Sequence, residues 1–189
     1  MPLRNRVTPW GEIVAVSARG AVMGNRGVLV DAHGEPTRRR WTTHGWIACR
    51  IDFNGRRRPV APPGRWTALF FLDEASALAA GHRPCAFCRR ADYVRFKTTW
   101  ARVHGAAFAR EMDERLHAER MGLRTLVDPR TLPDAAFVGD SNACWQIERG
   151  RGRAWSWSGY GELTDLPARL PLVTPPSIVR LLEAGYVVS

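Results

Sequence analysis

The sequence predicts an α+β fold: a small core of β-hairpin and helix, added helices after it, and a C-terminal β-rich part. Three observations carry this reading. Residues 46–53 (WIACRIDF) run into Asn54-Gly55, the strongest short-range hairpin signal. Residues 73–81 read as a capped helix, with Asp73 at the N-cap and Gly81 where a C-terminal glycine stops the turn. Cys85-x-x-Cys88 then places two thiolates on a tight turn, at the spacing that grips one tetrahedral zinc ion. The core is therefore expected to be zinc-stabilised. At 189 residues the chain suits a single domain, 1–189, with the core at 43–92 and a helical plus β-rich extension at 93–189.

Bulk composition narrows the partners. Basic residues number 28 against 18 acidic ones, for a net charge of +10, and Lys97 is the single lysine. An excess of arginine of this size favours a polyanionic partner. No apolar run approaches the roughly 20 residues that span a bilayer. The amino terminus, MPLRNRVTPWGEIV, has no apolar signal segment, so a cytoplasmic location is expected. Cysteines there bind metal, react or pack rather than form disulfides.

Taken in order, residues 12–16 and 27–30 are short strand candidates, and the AVMGNRG stretch between them reads as a glycine-bracketed turn. Arg38, Arg39 and Arg40 form a first basic cluster. In the hairpin, alternation turns Ile47, Cys49, Ile51 and Phe53 inward, and Trp46, Ala48, Arg50 and Asp52 outward. The return arm opens with Arg56, Arg57 and Arg58, a basic tip. Residues 66–71 form the next strand, ahead of the capped helix and the knuckle. Helices follow over 91–103, with Phe96, Trp100 and Val103 on one stripe, and over 108–120, with Phe108, Met112 and Leu116. The second helix also carries Asp113 and His117 four apart, with Glu119 nearby, the residue types of a general acid–base pair and equally of a charged surface helix. Residues 135–161 return to β structure, two strands joined by a loop over 148–153 that holds Arg149, Arg151 and Arg153. Trp145, Trp155, Trp157 and Tyr160 lie beside those arginines, in a mix that suits base stacking as well as a small sheet's core. A short tail helix capped by Ser177 ends at Gly185.

Read together, THGWIACR (43–50) and ALFFLDEASALAAGHRPCAFCRR (68–90) resemble the zinc domain of the Ada-type DNA methylation-repair proteins. The resemblance covers about a quarter of the chain. It implies a zinc ion held by cysteines, with Cys49, Cys85 and Cys88 in ligand positions, and it places Cys49 where that family's first cysteine accepts a methyl group from a DNA phosphotriester. Arg50, Arg83 and Pro84 match as well. The family's second cysteine falls on Phe53, so the site needs a fourth ligand from elsewhere or keeps an open position. His44 is the first candidate, with His82 and Cys144 behind it. A neutral ligand in place of a thiolate leaves less negative charge on the sulfurs and weakens methyl acceptance.

Three functions remain open on the sequence. The first is a zinc-binding, nucleic-acid-binding protein related to DNA repair, with DNA favoured over RNA. Arg50, Arg56, Arg57, Arg58, Arg149, Arg151 and Arg153 would then meet phosphates. The second is a DNA-acting enzyme, by alkyl transfer to Cys49 or by hydrolysis at Asp113 and His117. The third is a structural zinc protein whose partner is another protein.

Overall fold

The computed structural model describes residues 2–57, 60 and 62–189. Two short strands, β1 (Arg6–Val7) and β2 (Ile13–Val14), precede β3 (Val22–Asn25) and β4 (Ile47–Cys49). A small hairpin follows, β5 (Asp52–Phe53) and β6 (Arg56–Arg57), and then β7 (Leu69–Phe71), α1 (Glu74–Ala79) and β8 (Arg83–Pro84). Two longer helices come next, α2 (Arg90–His104) and α3 (Ala109–Met121). The last part runs through β9 (Leu126–Val127), β10 (Phe137–Gly139), β11 (Cys144–Glu148), β12 (Arg151–Ser156), β13 (Gly159–Thr164), β14 (Leu170–Pro171) and α4 (Pro176–Glu183). The fold is mixed α+β. No helix among the described residues is long and apolar enough to cross a membrane.

Six strands form the sheet that carries the cysteines, in the order β2-β1-β7-β3-β4-β8. Its side chains alternate between two covered faces. Ala48, Leu69 and Phe71 pack on one face with Val7, Ala77 and Ala80 of the neighbouring segments. Met23, Cys49 and Phe70 point to the other, where Cys85 and Cys88 join them. Both faces being covered explains why Trp46 and Ala48, which simple alternation turns outward, are buried.

The AVMGNRG stretch is not a turn: it supplies β3, in the interior of this sheet between β7 and β4. Gly24 serves close approach, since a Cβ there would stand 2.6 Å from the Ile47 carbonyl oxygen and 2.8 Å from the Phe71 ring. Residues 27–30, expected as a strand, contribute only an isolated bridge between Val30 and Pro36. The expected strand over 46–53 is broken at Arg50 and Ile51, and Ile51 consequently faces solvent. The hairpin itself forms. Asn54 and Gly55 take φ of 58° and 67°, the left-handed pair that a tight two-residue turn requires.

α1 has the expected caps. The Asp73 carboxylate accepts from the Ser76 N–H, and the Ser76 hydroxyl accepts from the Asp73 N–H. At its end, Gly81 at φ +79° lets its own N–H reach the Leu78 carbonyl while the His82 N–H reaches that of Ala77. This turn aims the chain into β8. α2, α3 and α4 close over the second sheet, β10-β11-β12-β13, in a core built from Phe96, Trp100, Met112, Leu116, Ile147 and Ile178. Ser177 is not the cap of α4. It sits inside the first turn, where its N–H and hydroxyl donate to the Glu119 carboxylate.

Candidate metal centre

β8 lies parallel to β4, with Ile47 opposite Arg83 and Ala48 opposite Pro84. The Cys85 N–H then donates to the Ala48 carbonyl at 2.9 Å, which brings Cys85 beside Cys49 at the end of β4. Proline at 84 costs nothing here, because β8 is an edge strand. The chain turns over Ala86 and Phe87, and the Arg89 N–H closes the turn on the Cys85 carbonyl at 3.1 Å. Cys88 thereby returns to the same point. The sulfurs of Cys49, Cys85 and Cys88 all lie within 4.8 Å of one another and can hold a metal ion.

The donor set fits zinc. Zn–S bonds of about 2.3 Å in a tetrahedron place sulfurs roughly 3.8 Å apart, within small adjustments of this trio. Thiolates are soft ligands that favour zinc over magnesium or calcium. Two backbone amides already point at the sulfurs: Phe87 N–H donates to Cys85 Sγ and Arg50 N–H to Cys88 Sγ, each at 3.4 Å. Such bonds stabilise thiolate charge. Without a cation the three groups share protons unevenly. The Cys85 and Cys88 sulfurs, with burial, push the Cys49 thiol up, while hydrogen bonds from Cys49 and Cys88 hold Cys85 down. The thiols are enclosed, with exposures of 1% for Cys49, 8% for Cys85 and 3% for Cys88.

None of the three candidate fourth ligands joins the cluster among the described residues. His44 is half-buried, with Nδ1 bonded to Glu114 at 2.7 Å and its ring stacked on His117 at 3.7 Å. The Arg120 guanidinium also holds the His44 carbonyl, which ties this residue to α3. His82 is fully buried, and its Nε2 accepts from Arg26 Nε at 3.2 Å. Cys144 lies in another core with Phe137 and Val173. Phe53, at the position of the missing cysteine, packs on the trio's apolar surround and meets the Phe87 ring at 5.1 Å.

The knuckle is tied down by its arginines. Arg83 is buried and pairs with both carboxylate oxygens of Asp113, at 2.7 and 2.8 Å. Arg89 is buried against Glu74 and Asp92, each at 2.8 Å. Arg50 and Arg90, in contrast, are exposed and form no ion pair among the described residues. Of the helix residues read as an acid–base group, Asp113 faces Arg83, Glu119 holds Ser177, and His117 meets His44 and Arg120.

The second basic region differs from expectation. Arg149 and Gly150 alone make the turn, with φ of 52° and 72°, and Arg151 and Arg153 lie on β12. Arg151 pairs with Asp165 at 3.0 Å and Arg153 with Glu148 at 2.5 Å. Arg149 stays exposed at the tip. In the hairpin the backbone of Arg56 and Arg57 belongs to β6, and Arg58 lies outside the described residues.

Pattern reading missed a group on the far side of the sheet, where Trp46 lies between Arg26 and Arg120, with guanidinium carbons 3.7 and 3.8 Å from the ring centre. No local signal marks it. Arg26 falls in the stretch read as a turn, and Trp46 falls on the nominally solvent side of its strand.

Fold and site together define an α+β protein with a buried three-thiol cluster able to hold a metal ion. No family model, curated protein or solved structure matches the chain.

Proposed function

We propose that this chain is a zinc-stabilised, nucleic-acid-binding protein related to DNA repair, with DNA its favoured partner. The observation that carries the reading is the three-thiol cluster with Arg50 beside it, exposed and in no ion pair among the described residues. The net charge of +10 supports a polyanionic partner. When bound, zinc would cross-link β4 to the knuckle and keep the thiols deprotonated. Cys49, Cys85 and Cys88 hold it, and the amides of Arg50 and Phe87 orient the sulfurs. Arg50, Arg90 and Arg149, together with the Arg56–Arg58 stretch, supply phosphate contacts.

Cys49 acts in this reading as a structural ligand. Accepting a methyl group would require its sulfur to attack the methyl carbon of a phosphotriester. An S–C bond would form as the C–O bond breaks, releasing the phosphodiester anion. Attack requires an accessible thiolate, and Cys49 is 1% exposed.

The test joins elemental analysis with binding. Protein purified without added metal is expected to carry one zinc per chain and to bind an oligonucleotide at low salt. Zinc without any oligonucleotide binding would leave the structural protein with a protein partner as the surviving reading. Incubation with DNA carrying methyl phosphotriesters should leave the protein's mass unchanged, and a gain of one methyl group mapping to Cys49 would make it an alkyl acceptor.

A further inference from the structure

Behind the main sheet, away from the cysteines in function, lies a cavity of about 240 Å³ bordered by Trp10, Gly11, Arg40, Trp46, Arg120 and Arg124. It continues through Trp10, Arg40 and Arg124 into an open cleft of about 610 Å³. Its wall is unusual in charge. Two guanidiniums cannot share one face of Trp46 at 3.7 and 3.8 Å, so Arg26 and Arg120 occupy opposite faces of the ring. Such stacking stabilises each cation modestly.

Arg26 is 0% exposed. Its Nη1 donates to the Gly11 carbonyl at 2.8 Å, but Nη2 has no partner among the described residues and lies 3.6 Å from where a Cβ on Gly11 would stand. Arg120 donates Nη1 to the Gly81 carbonyl and Nη2 to that of His44, and its buried Nε has no partner among the described residues. Arg40 and Arg124 stand exposed at the mouth, the latter donating to the Trp10 carbonyl at 3.1 Å. Among the described residues none of these four arginines forms an ion pair. Glu119, the acid on the cavity wall, is held by Ser177 and Arg115. Glu12 and Asp140 line only the outer cleft.

A guanidinium buried without a counter-ion is costly, and a second one across the same ring adds repulsion. Burial, then Arg120 and Arg40, drives the Arg26 pKa well below its ordinary value, and burial takes Arg120 down to about 9 against the opposing pull of Asp113, Glu114 and Glu119. An anion in the cavity would face Arg120, which lines it, and would offset the repulsion that Arg120 and Arg40 exert on Arg26 behind Trp46. Apolar side chains would cover Trp46 without this cost, so packing alone does not account for the arrangement.

We propose that this cavity binds a phosphate monoester, its dianion held by Arg40, Arg120 and Arg124 and the remainder of the ligand lying along Trp10. A monoester carries close to two charges and presents several acceptor oxygens, which match convergent guanidinium forks better than a single carboxylate does. The ligand is a nucleotide, either free or as the 5′-terminal residue of a strand. The site does not depend on the metal centre or on the phosphate contacts proposed above.

Calorimetric titration at low salt tests it, using adenosine 5′-monophosphate, adenosine, and one oligonucleotide with and without a 5′-phosphate. The nucleotide should bind and adenosine should not. Arg40→Gln and Arg124→Gln change exposed residues and so leave the fold intact, and each should weaken nucleotide binding about tenfold, the worth of one charged hydrogen bond. Tighter binding of the phosphorylated oligonucleotide than of both its 5′-hydroxyl twin and the mononucleotide would assign the strand end as the source. Otherwise the free nucleotide is the ligand. Equal heats from nucleotide and nucleoside, no binding of either, or nucleotide binding unchanged in both variants would overturn the proposal.

Discussion

Cys88 and Cys144 form a matched pair for probing the metal centre, since both are buried thiols and only Cys88 belongs to the trio. Cys88→Ser is expected to abolish stoichiometric zinc, measured by elemental analysis, whereas Cys144→Ser should retain it. Loss of zinc in both, or in neither, would dismantle the assigned ligand set. His82 gives a second residue-scale prediction. Burial first, then the charges of Arg26 and Arg120, hold its imidazole well below the ordinary 6.5. The folded protein therefore keeps it neutral while the unfolded chain takes up a proton near that pH. Its contribution is fully present above about pH 6.5 and is lost as pH falls, by roughly 1 kcal/mol between about pH 6.5 and 5.5. Urea unfolding of the parent and His82→Gln over that range should show the steeper loss in the parent, and the comparison cancels any release of zinc common to both. At this scale Cys85 and Cys88 were legible from spacing, while alternation gave only the inward direction of Cys49 and the resemblance its place beside them. His44 was not, because five residues of separation along the chain say nothing about direction: its carbonyl and ring are tied to α3 instead.

α3 is where a pattern of residue types misleads and the contacts decide. Asp113, His117 and Glu119 share a helix and look like an acid–base group, yet each serves a different neighbour. The bidentate Arg83–Asp113 pair is the most consequential, because it fastens the knuckle's edge strand to the helix with both partners buried. Removing one partner strands the other charge, so Asp113→Ala should cost about 3–5 kcal/mol in denaturant unfolding. A loss below about 1 kcal/mol, the range of an exposed pair, would show the contact to be dispensable. The helices, the cap and stop of α1 and the stop of α4 were readable because Asp73, Gly81 and Gly185 act locally through backbone geometry, whereas the start of α4 was misplaced at Ser177. β3 was not readable. Its glycine is required by the Ile47 carbonyl and Phe71 ring, which arrive from distant segments, so tertiary contact turned an apparent turn into an interior strand.

For the whole molecule the question is which of its arginines remain available to a polyanion. Composition sets the excess charge but cannot say where it is neutralised. Arg83, Arg89, Arg151 and Arg153 are paired with acids of their own fold, while the exposed side chains of Arg50, Arg90 and Arg149 form no ion pair among the described residues. Each phosphate contact releases condensed counterions, so the slope of log affinity against log salt falls by about 0.9 per contact on a duplex and about 0.7 on a single strand. Replacing Arg50 and Arg90 by Gln together should therefore flatten the slope by nearly two on duplex DNA and weaken binding alike for unrelated sequences. Arg153→Gln is the control. Its guanidinium is held by Glu148 and by the Gly161 carbonyl, so its removal should leave the slope unchanged. If Arg153→Gln flattened the slope as much as the Arg50 and Arg90 changes do, net charge rather than a defined face would govern binding. The thiol cluster would then have no part in placing the nucleic acid.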